Sequence, residues 1–131
     1  MLNLSLVKNV YALILISVTI SAFAQIALKA GMDSPSVQRG IAEGGARVSA
    51  LLDIALNPLI LLGLFLYFSS AAVWLMVLSK VQVSFAYPFV ALGFVLTAVL
   101  GRLVFNDTFS AAKVIGTLLI MSGVVVMARG A

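Results

Sequence analysis

The sequence contains no cysteine and no histidine, and only 9% of its 131 residues carry a charge. The first two absences exclude disulfides and thiol chemistry and remove the commonest zinc ligands. The few acidic residues are scattered, and no two are spaced as in a hydrolase or a metal site; they are Asp33, Glu43, Asp53 and Asp107. We therefore expect that the protein is not an enzyme and needs no metal or cofactor.

Basic residues are too dispersed for a nucleic-acid-binding surface, because the net charge of +4 is not concentrated in a run. Hydrophobic residues, in contrast, make up 63% of the chain. A soluble domain has roughly 25% charged residues, so this chain has too few polar side chains to cover a surface that faces water. Its solvent must be the lipid bilayer.

Four apolar segments are each long enough, within a few residues, for a helix that crosses the roughly 30 Å hydrocarbon core. They run from about 10 to 30, 58 to 78, 85 to 104 and 111 to 128. Their apolar residues are continuous, which favours helices over barrel strands. The first segment is too long for a cleaved signal peptide, so we interpret it as a retained span. The sequence thus predicts an all-α membrane protein, a single domain of four transmembrane helices over residues 1–131.

The connection from residue 32 to 57 has its own periodicity. One helical face would collect Val37, Ile41, Val48, Leu51, Leu52 and Ala55, and the other Arg39, Glu43, Arg47 and Asp53. This pattern predicts an amphipathic helix over residues 36–54 that lies flat in the membrane interface. Gly44 and Gly45 in its middle leave a loosely ordered polar loop as the alternative.

Polar residues in the first span form a slowly winding stripe at i,i+4 steps: Ser17, Ser21, Gln25 and Lys29. Buried amide and ammonium groups need partners or water, so the stripe predicts a polar groove that faces a substrate. The alternative is a helix–helix contact, with Lys29 reaching the membrane surface. Arg102, near the end of the third span, would lie on the same side as Lys29. Two cations there could hold one anionic headgroup, or only anchor the helices to lipid phosphates.

Further candidates lie in the other spans. Tyr67 and Trp74 share a face of the second span with Ser70, where they could stack on a sugar ring or serve as ordinary packing residues. Tyr87 precedes Pro88, which removes a donor and can bend the third helix. Gly116 and Gly123 share a face of the fourth span, where small residues favour helix or subunit contact.

Two runs in the C-terminal half resemble the small multidrug resistance family of the drug/metabolite transporter superfamily. Val83 to Pro88 (VSFAYP) resembles that family's entry to the third helix, and Val114 to Val124 (VIGTLLIMSGV) its fourth helix. The resemblance covers about 100 residues and excludes the long connection, which is longer than usual there. One copy is too small to enclose a groove with two gates, so we expect a dimer, either of identical copies or with a related subunit. The resemblance implies that identical copies can be antiparallel.

One departure separates the branches of that family. Its drug and guanidinium exporters carry a glutamate in the middle of the first helix, where this chain has Ser21, and no span has a carboxylate near its centre. The run from Ser21 to Lys29 (SAFAQIALK) is instead similar to the first helix of the small flippase subunits for aminoarabinose-phosphoundecaprenol. The Ala86-Tyr87-Pro88 run and a basic residue at Arg102 also fit that branch.

This resemblance implies a multi-pass flippase subunit of the bacterial inner membrane, which moves a polyprenyl-phosphate-linked sugar for envelope glycan or lipid A modification. Together with the polar stripe and the shared helical faces described above, it leads us to expect roles for particular residues. Lys29 and Arg102 would bind the phosphate, and Ser21, Gln25, Tyr67, Trp74 and Tyr87 would line the translocation path. Two alternatives stay open: a small cation or metabolite exporter of the same fold, and a non-transporting membrane subunit of a glycosyltransferase complex.

Overall fold

The computed structural model describes residues 4–43 and 48–130, and nearly all of them are helical. The elements in chain order are α1 (Leu4–Met32), α2 (Pro35–Ala42), α3 (Val48–Leu56), α4 (Pro58–Leu78), α5 (Val83–Ala86), a 3₁₀ turn (Tyr87–Phe89), α6 (Val90–Phe105) and α7 (Ala111–Gly130). Four stretches are long and apolar enough to cross a membrane: Lys8–Met32, Pro58–Leu78, Val83–Phe105 and Ala111–Gly130. The prediction of four transmembrane helices is therefore confirmed.

Helix boundaries follow local chemistry. Asn57 accepts hydrogen bonds from the amides of Leu59 and Ile60 at 3.0 and 3.3 Å, so it caps α4, and Pro58 occupies the first helical position. Pro88 lies in the 3₁₀ turn between α5 and α6, where a residue without an amide hydrogen interrupts the α-helical ladder.

The most extensive helix–helix contact joins α1 to α4. The two helices are antiparallel, because Gly31 at the end of α1 lies beside Ile60 at the start of α4. Two glycines permit the close approach. A Cβ at Gly31 would lie 2.5 Å from Ile60 Cγ1, and a Cβ at Gly63 would lie 2.6 Å from Leu28 Cγ. Small residues allow helix backbones to approach in this way inside a membrane.

At the opposite end of the bundle, α1 packs against the start of the third span. Tyr11, Phe85 and Phe89 form an aromatic cluster, with ring centroids 5.4–6.1 Å apart. Edge-to-face contacts at such distances are favourable for aromatic rings. Beside this cluster, Val77 and Val124 bring α4 and α7 into the same apolar core. α6 therefore runs parallel to α1, and their C-termini lie at the same end of the bundle.

The connection between the first two spans is helical, as its periodicity predicts, but it contains two short helices instead of one. A Cβ at Gly40 in α2 would lie 3.4 Å from Ala50 Cα in α3. Residues ten apart in one continuous helix would be about 15 Å apart, so α2 and α3 fold back on each other as a hairpin. Gly44, Gly45 and Arg47, which the sequence places within one helix, lie outside the described residues.

Enlarging Gly63 should loosen the α1–α4 contact. We expect Gly63→Val to destabilise the protein by about 1–3 kcal/mol, because the added carbons meet the Leu28 backbone as well as its side chain. Ala72→Val is the matched control, since Ala72 is exposed on the same helix. Thermal unfolding in detergent measures both variants. Equal stability of the two would show that Gly63 does not limit this contact.

Candidate functional site

A cavity of about 180 Å³ lies between α1, α4 and α6. Its lining combines hydroxyl and aromatic groups with small apolar residues: Ser17, Val18, Ser21, Tyr67, Ser70, Ala71, Trp74, Val90 and Gly93. No charged residue belongs to this lining. The cavity therefore offers neutral hydrogen-bonding groups and ring faces at the level of the membrane interior.

A reciprocal pair of hydrogen bonds closes one side of the cavity. Ser17 Oγ donates to the Ser70 carbonyl oxygen at 2.9 Å, and Ser70 Oγ donates to the Ser17 carbonyl oxygen at 3.0 Å. Both serines are buried. Because each hydroxyl is already donating, this pair holds α1 against α4. Within the described residues, Ser21, Tyr67 and Trp74 make no side-chain hydrogen bond, so their polar atoms remain available to a ligand.

The structure brings together three of the residues that the sequence assigns to the translocation path, Ser21, Tyr67 and Trp74. It leaves Gln25 exposed on α1 and Tyr87 exposed on the 3₁₀ turn, both outside the cavity lining. The position of Gln25 has a geometric reason. Each i,i+4 step rotates about 40° around a helix, so the stripe begins buried at Ser17 and reaches the surface by Gln25 and Lys29.

Sequence reasoning missed the small residues of the lining. A Cβ at Gly93 would lie 3.3 Å from Val18 Cγ1, so the glycine preserves space between α6 and α1. Ala71 lies between Ser70 and Trp74 on α4, and it adds little volume of its own. The sequence did offer one signal, the isolated Gly93 inside an apolar span, because such a glycine often marks a close approach of two backbones.

The two predicted phosphate ligands lie at the same end of the bundle, which we call the Lys29–Arg102 end. Lys29 Nζ lies 2.7 Å from Asp33 Oδ1 in an exposed i,i+4 ion pair. Arg102 Nη1 donates to Asn106 Oδ1 at 2.9 Å and to the Asp107 carbonyl oxygen at 3.1 Å. Asp33 thus contacts Lys29 directly through its carboxylate, whereas Asp107 meets Arg102 through its backbone carbonyl oxygen.

Arg102 also shapes the turn that follows α6. Asn106 adopts a left-handed conformation with φ of 57°, and the Asp107 amide donates to the Gly101 carbonyl oxygen. A side chain at Gly101 would collide with the Asp107 carboxylate, which approaches to 2.7 Å from the ideal Cβ position. Both hydrogen bonds of Arg102 use Nη1, so within the described residues Nε and Nη2 make none. A guanidinium held in this way can still present a donor edge to an oxyanion.

Gly116 and Gly123 lie on α7, the span with the smallest buried share. In residues 4–43 and 48–130, no atom outside the local helix lies within 4 Å of a Cβ at either glycine. The pair therefore forms an open face on the outside of the chain instead of a contact within it. Among residues 4–43 and 48–130, no group of three acidic side chains is placed to hold a metal ion.

Comparison with curated proteins finds relatives among flippase subunits. The chain is 43% identical over 58 residues to a probable 4-amino-4-deoxy-L-arabinose-phosphoundecaprenol flippase subunit ArnE of Pseudomonas aeruginosa, which covers 44% of this chain and 50% of that protein. The protein of the same name from Pseudomonas fluorescens is 36% identical over 73 residues, covering 56% and 64%. That from Erwinia tasmaniensis is 38% identical over 55 residues, covering 42% and 51%.

The chain therefore matches between half and two thirds of the length of these relatives. The resemblance to aminoarabinose-phosphoundecaprenol flippase subunits, which the sequence motifs indicate, is confirmed over about half of the chain. No protein-family model matches the sequence. No solved structure matches it.

The geometry of the serine pair predicts that the two serine-to-alanine substitutions reduce the free energy of unfolding nearly additively. Each hydroxyl donates to the backbone of the other residue, so Ser17→Ala and Ser70→Ala should each remove one bond, worth about 0.6 kcal/mol in a membrane protein. The double variant should lose about the sum. Ser69→Ala is the control, because Ser69 Oγ donates to Phe65 within its own helix. Unfolding in bicelles measures all four variants. If either single variant loses as much stability as the double variant, the two hydroxyls bond to each other instead.

Proposed function

We propose that this chain is a flippase subunit that moves a polyprenyl-phosphate-linked sugar between the leaflets of the bacterial inner membrane, for envelope glycan or lipid A modification. The distribution of polar groups carries the proposal. Uncharged hydroxyl and indole groups line the cavity, the cations Lys29 and Arg102 lie at one end of the bundle, and all four acidic residues lie outside the spans. The relatives named as probable flippase subunits support the same class of function.

The phosphate would dock at the Lys29–Arg102 end. Arginine presents a planar fork that can bind two oxygens at once, and lysine offers a compact charge with several donors. Asp33 already pairs with Lys29, so a bound phosphate competes with that carboxylate and is easily released. A flippase needs such weak binding, because the lipid must leave on the other side of the membrane.

The sugar would follow the stripe of α1 inward to the cavity. Ser21 and Tyr67 offer hydroxyls to sugar hydroxyl groups, and Trp74 offers a ring face of the kind that stacks on sugars. The absence of acidic residues from the spans argues against proton-coupled cation export, because that exchange requires a group that binds a proton and a cation in turn. The neutral cavity therefore favours the lipid-linked sugar over the cation.

The cavity of one chain is too small to enclose the headgroup of a lipid-linked sugar. Pockets that bury drug-sized ligands have volumes of roughly 300–1,000 Å³, whereas this one has about 180 Å³. A second subunit, identical or related, would complete the path. Gly116 and Gly123 on α7 are the proposed contact, because small residues favour helix association in lipid and none of the described residues covers them.

Flipping by purified protein in proteoliposomes tests the phosphate ligands. With a leaflet-resolved label on a polyprenyl-phosphate sugar, Lys29→Ala and Arg102→Ala should each abolish flipping, whereas Asp33→Asn should preserve it because it removes only the competitor. Lys113→Ala is the matched control, since Lys113 is another cation at this end and donates to the Thr108 carbonyl oxygen. Arg102→Lys should lose flipping if the two-oxygen fork is required.

Two outcomes would contradict the proposal. Native flipping rates in both alanine variants would reduce these residues to membrane anchors. Transport of a quaternary ammonium cation in response to a pH gradient, without flipping of the lipid-linked sugar, would indicate an exporter instead. Thermal unfolding should accompany the assay, because Arg102 also holds the turn at Asn106.

Replacing both α7 glycines tests the subunit contact. Gly116→Leu with Gly123→Leu should shift the protein towards monomer in cross-linking and sizing experiments, without unfolding it, because both sites are open within the chain. The control enlarges two exposed residues with the same spacing, Leu118→Phe with Val125→Phe. An unchanged dimer fraction in the glycine variant would place the contact elsewhere.

A further inference from the structure

The helix α3 carries a continuous apolar surface that no described residue covers. The exposed fractions are 71% for Val48, 56% for Leu51, 52% for Leu52 and 70% for Leu56. At about 100° per residue these side chains occupy an arc of about 140° on one side of the helix. An apolar arc of this width on a helix of nine residues needs a cover other than water.

The other sides of α3 are different in kind. Ala50 is buried, and it faces Gly40 of α2 inside the hairpin. Ser49 and Asp53 are exposed and occupy the arc between the buried side and the apolar side. A helix with one side on protein, one polar side and one bare apolar side has the organisation of an interfacial helix that is also docked on its own protein.

The position of α3 relative to the membrane is fixed by the residue that follows it. Only Asn57 separates α3 from the membrane span that begins at Pro58. Asn57 has an extended backbone with ψ of 126°, so α3 turns away from the axis of α4 instead of lengthening it. The side-chain Nδ2 of Asn57 also donates to Ser34 Oγ at 3.0 Å, which ties this corner to the start of α2.

Two more contacts hold the α2–α3 hairpin on the end of the bundle. Val37 is 1% exposed, and Gln38 Nε2 donates to the Met32 carbonyl oxygen at the end of α1. The hairpin is thus fixed at the level where the spans leave the hydrocarbon. Leu56 and Leu59 lie on either side of Asn57 in the sequence, and both are exposed. Exposed apolar side chains therefore occur on both sides of the corner where α3 meets the membrane-spanning helix α4.

Charge distinguishes this hairpin from the common cationic interfacial helix. Residues 34–57 hold two arginines and two acidic residues, so their net charge is zero. Within α3 itself the one charged residue is Asp53, an anion. Attraction to acidic lipid headgroups therefore contributes little, and burial of apolar side chains must provide the binding.

We propose that α3 inserts its Val48–Leu51–Leu52–Leu56 surface into the lipid leaflet at the Lys29–Arg102 end, and that it does so without a requirement for anionic lipid. The occupant of this surface is the boundary between headgroups and acyl chains. The hairpin then lies in a fixed position at the membrane surface, at the same end of the bundle as Lys29 and Arg102. This inference does not depend on the transported substrate. It follows from the exposed apolar surface of α3 and from the single residue that separates α3 from α4.

Site-directed spin labelling of the full-length protein tests the proposal, and the absence of native cysteine leaves no background. Leu51→Cys and Leu52→Cys would carry the label on the apolar side, and Ser49→Cys is the matched control on the polar side. The protein is reconstituted separately into vesicles of phosphatidylcholine and of phosphatidylcholine with phosphatidylglycerol. Collisions with oxygen and with a water-soluble nickel complex then report the depth of each label.

Labels at Leu51 and Leu52 should favour oxygen and lie about 5–10 Å below the headgroups, at the same depth in both lipids, while the label at Ser49 favours nickel. Three results would overturn the proposal. Nickel access at all three sites would mean that the surface faces water. Shielding of Leu51 and Leu52 from both reagents would indicate a protein partner or a second copy. Insertion only with phosphatidylglycerol would show that charge provides the binding.

Discussion

The close contact between α1 and α4 sets the positions of the other spans and of the cavity. Lipid tails are as apolar as the side chains of a neighbouring helix. The hydrophobic effect therefore does not drive helices together inside a bilayer. Two features take its place here. Gly31 and Gly63 let the backbones approach, and Ser17 and Ser70 exchange hydrogen bonds that neither could make with lipid. α6 then packs on α1, and the cavity is the space that remains between the three helices.

The same contact places the polar groups at different depths. Because the serine pair fixes the rotation of α1, the polar stripe starts at the cavity and leaves it as the helix turns towards Lys29. Beyond that point Asp33 pairs with Lys29, and Arg102 donates to the Asp107 carbonyl oxygen. The bundle thus has a neutral interior and a charged end of mixed sign. This arrangement suits an anionic headgroup that must bind, move inward and leave again.

The exposed surfaces of α7 and α3 differ in the size of their side chains. α7 is the least buried span, and its glycine face meets no other part of the chain that the structure describes. α3 presents leucine and valine close in sequence to the first residue of α4. One surface suits another helix because it is small and flat, and the other suits a lipid interface because it is broad and apolar. Side-chain size therefore separates two uses of exposed apolar surface in one small chain.

Hydropathy and segment length are enough to predict a membrane protein with four spans, because they are local properties and the bilayer thickness sets the helix length they require. The sequence motifs also indicate the flippase relatives and the common end of Lys29 and Arg102. Tertiary contacts were needed to show that the connection is a hairpin, that Gln25 and Tyr87 lie outside the cavity, and that Asp33 and Asn106 already engage Lys29 and Arg102. These features depend on how helices rotate and meet, as when Ser17 reaches Ser70 across 53 positions. A pattern within one segment fixes its own faces, but it does not fix which neighbour each face will meet.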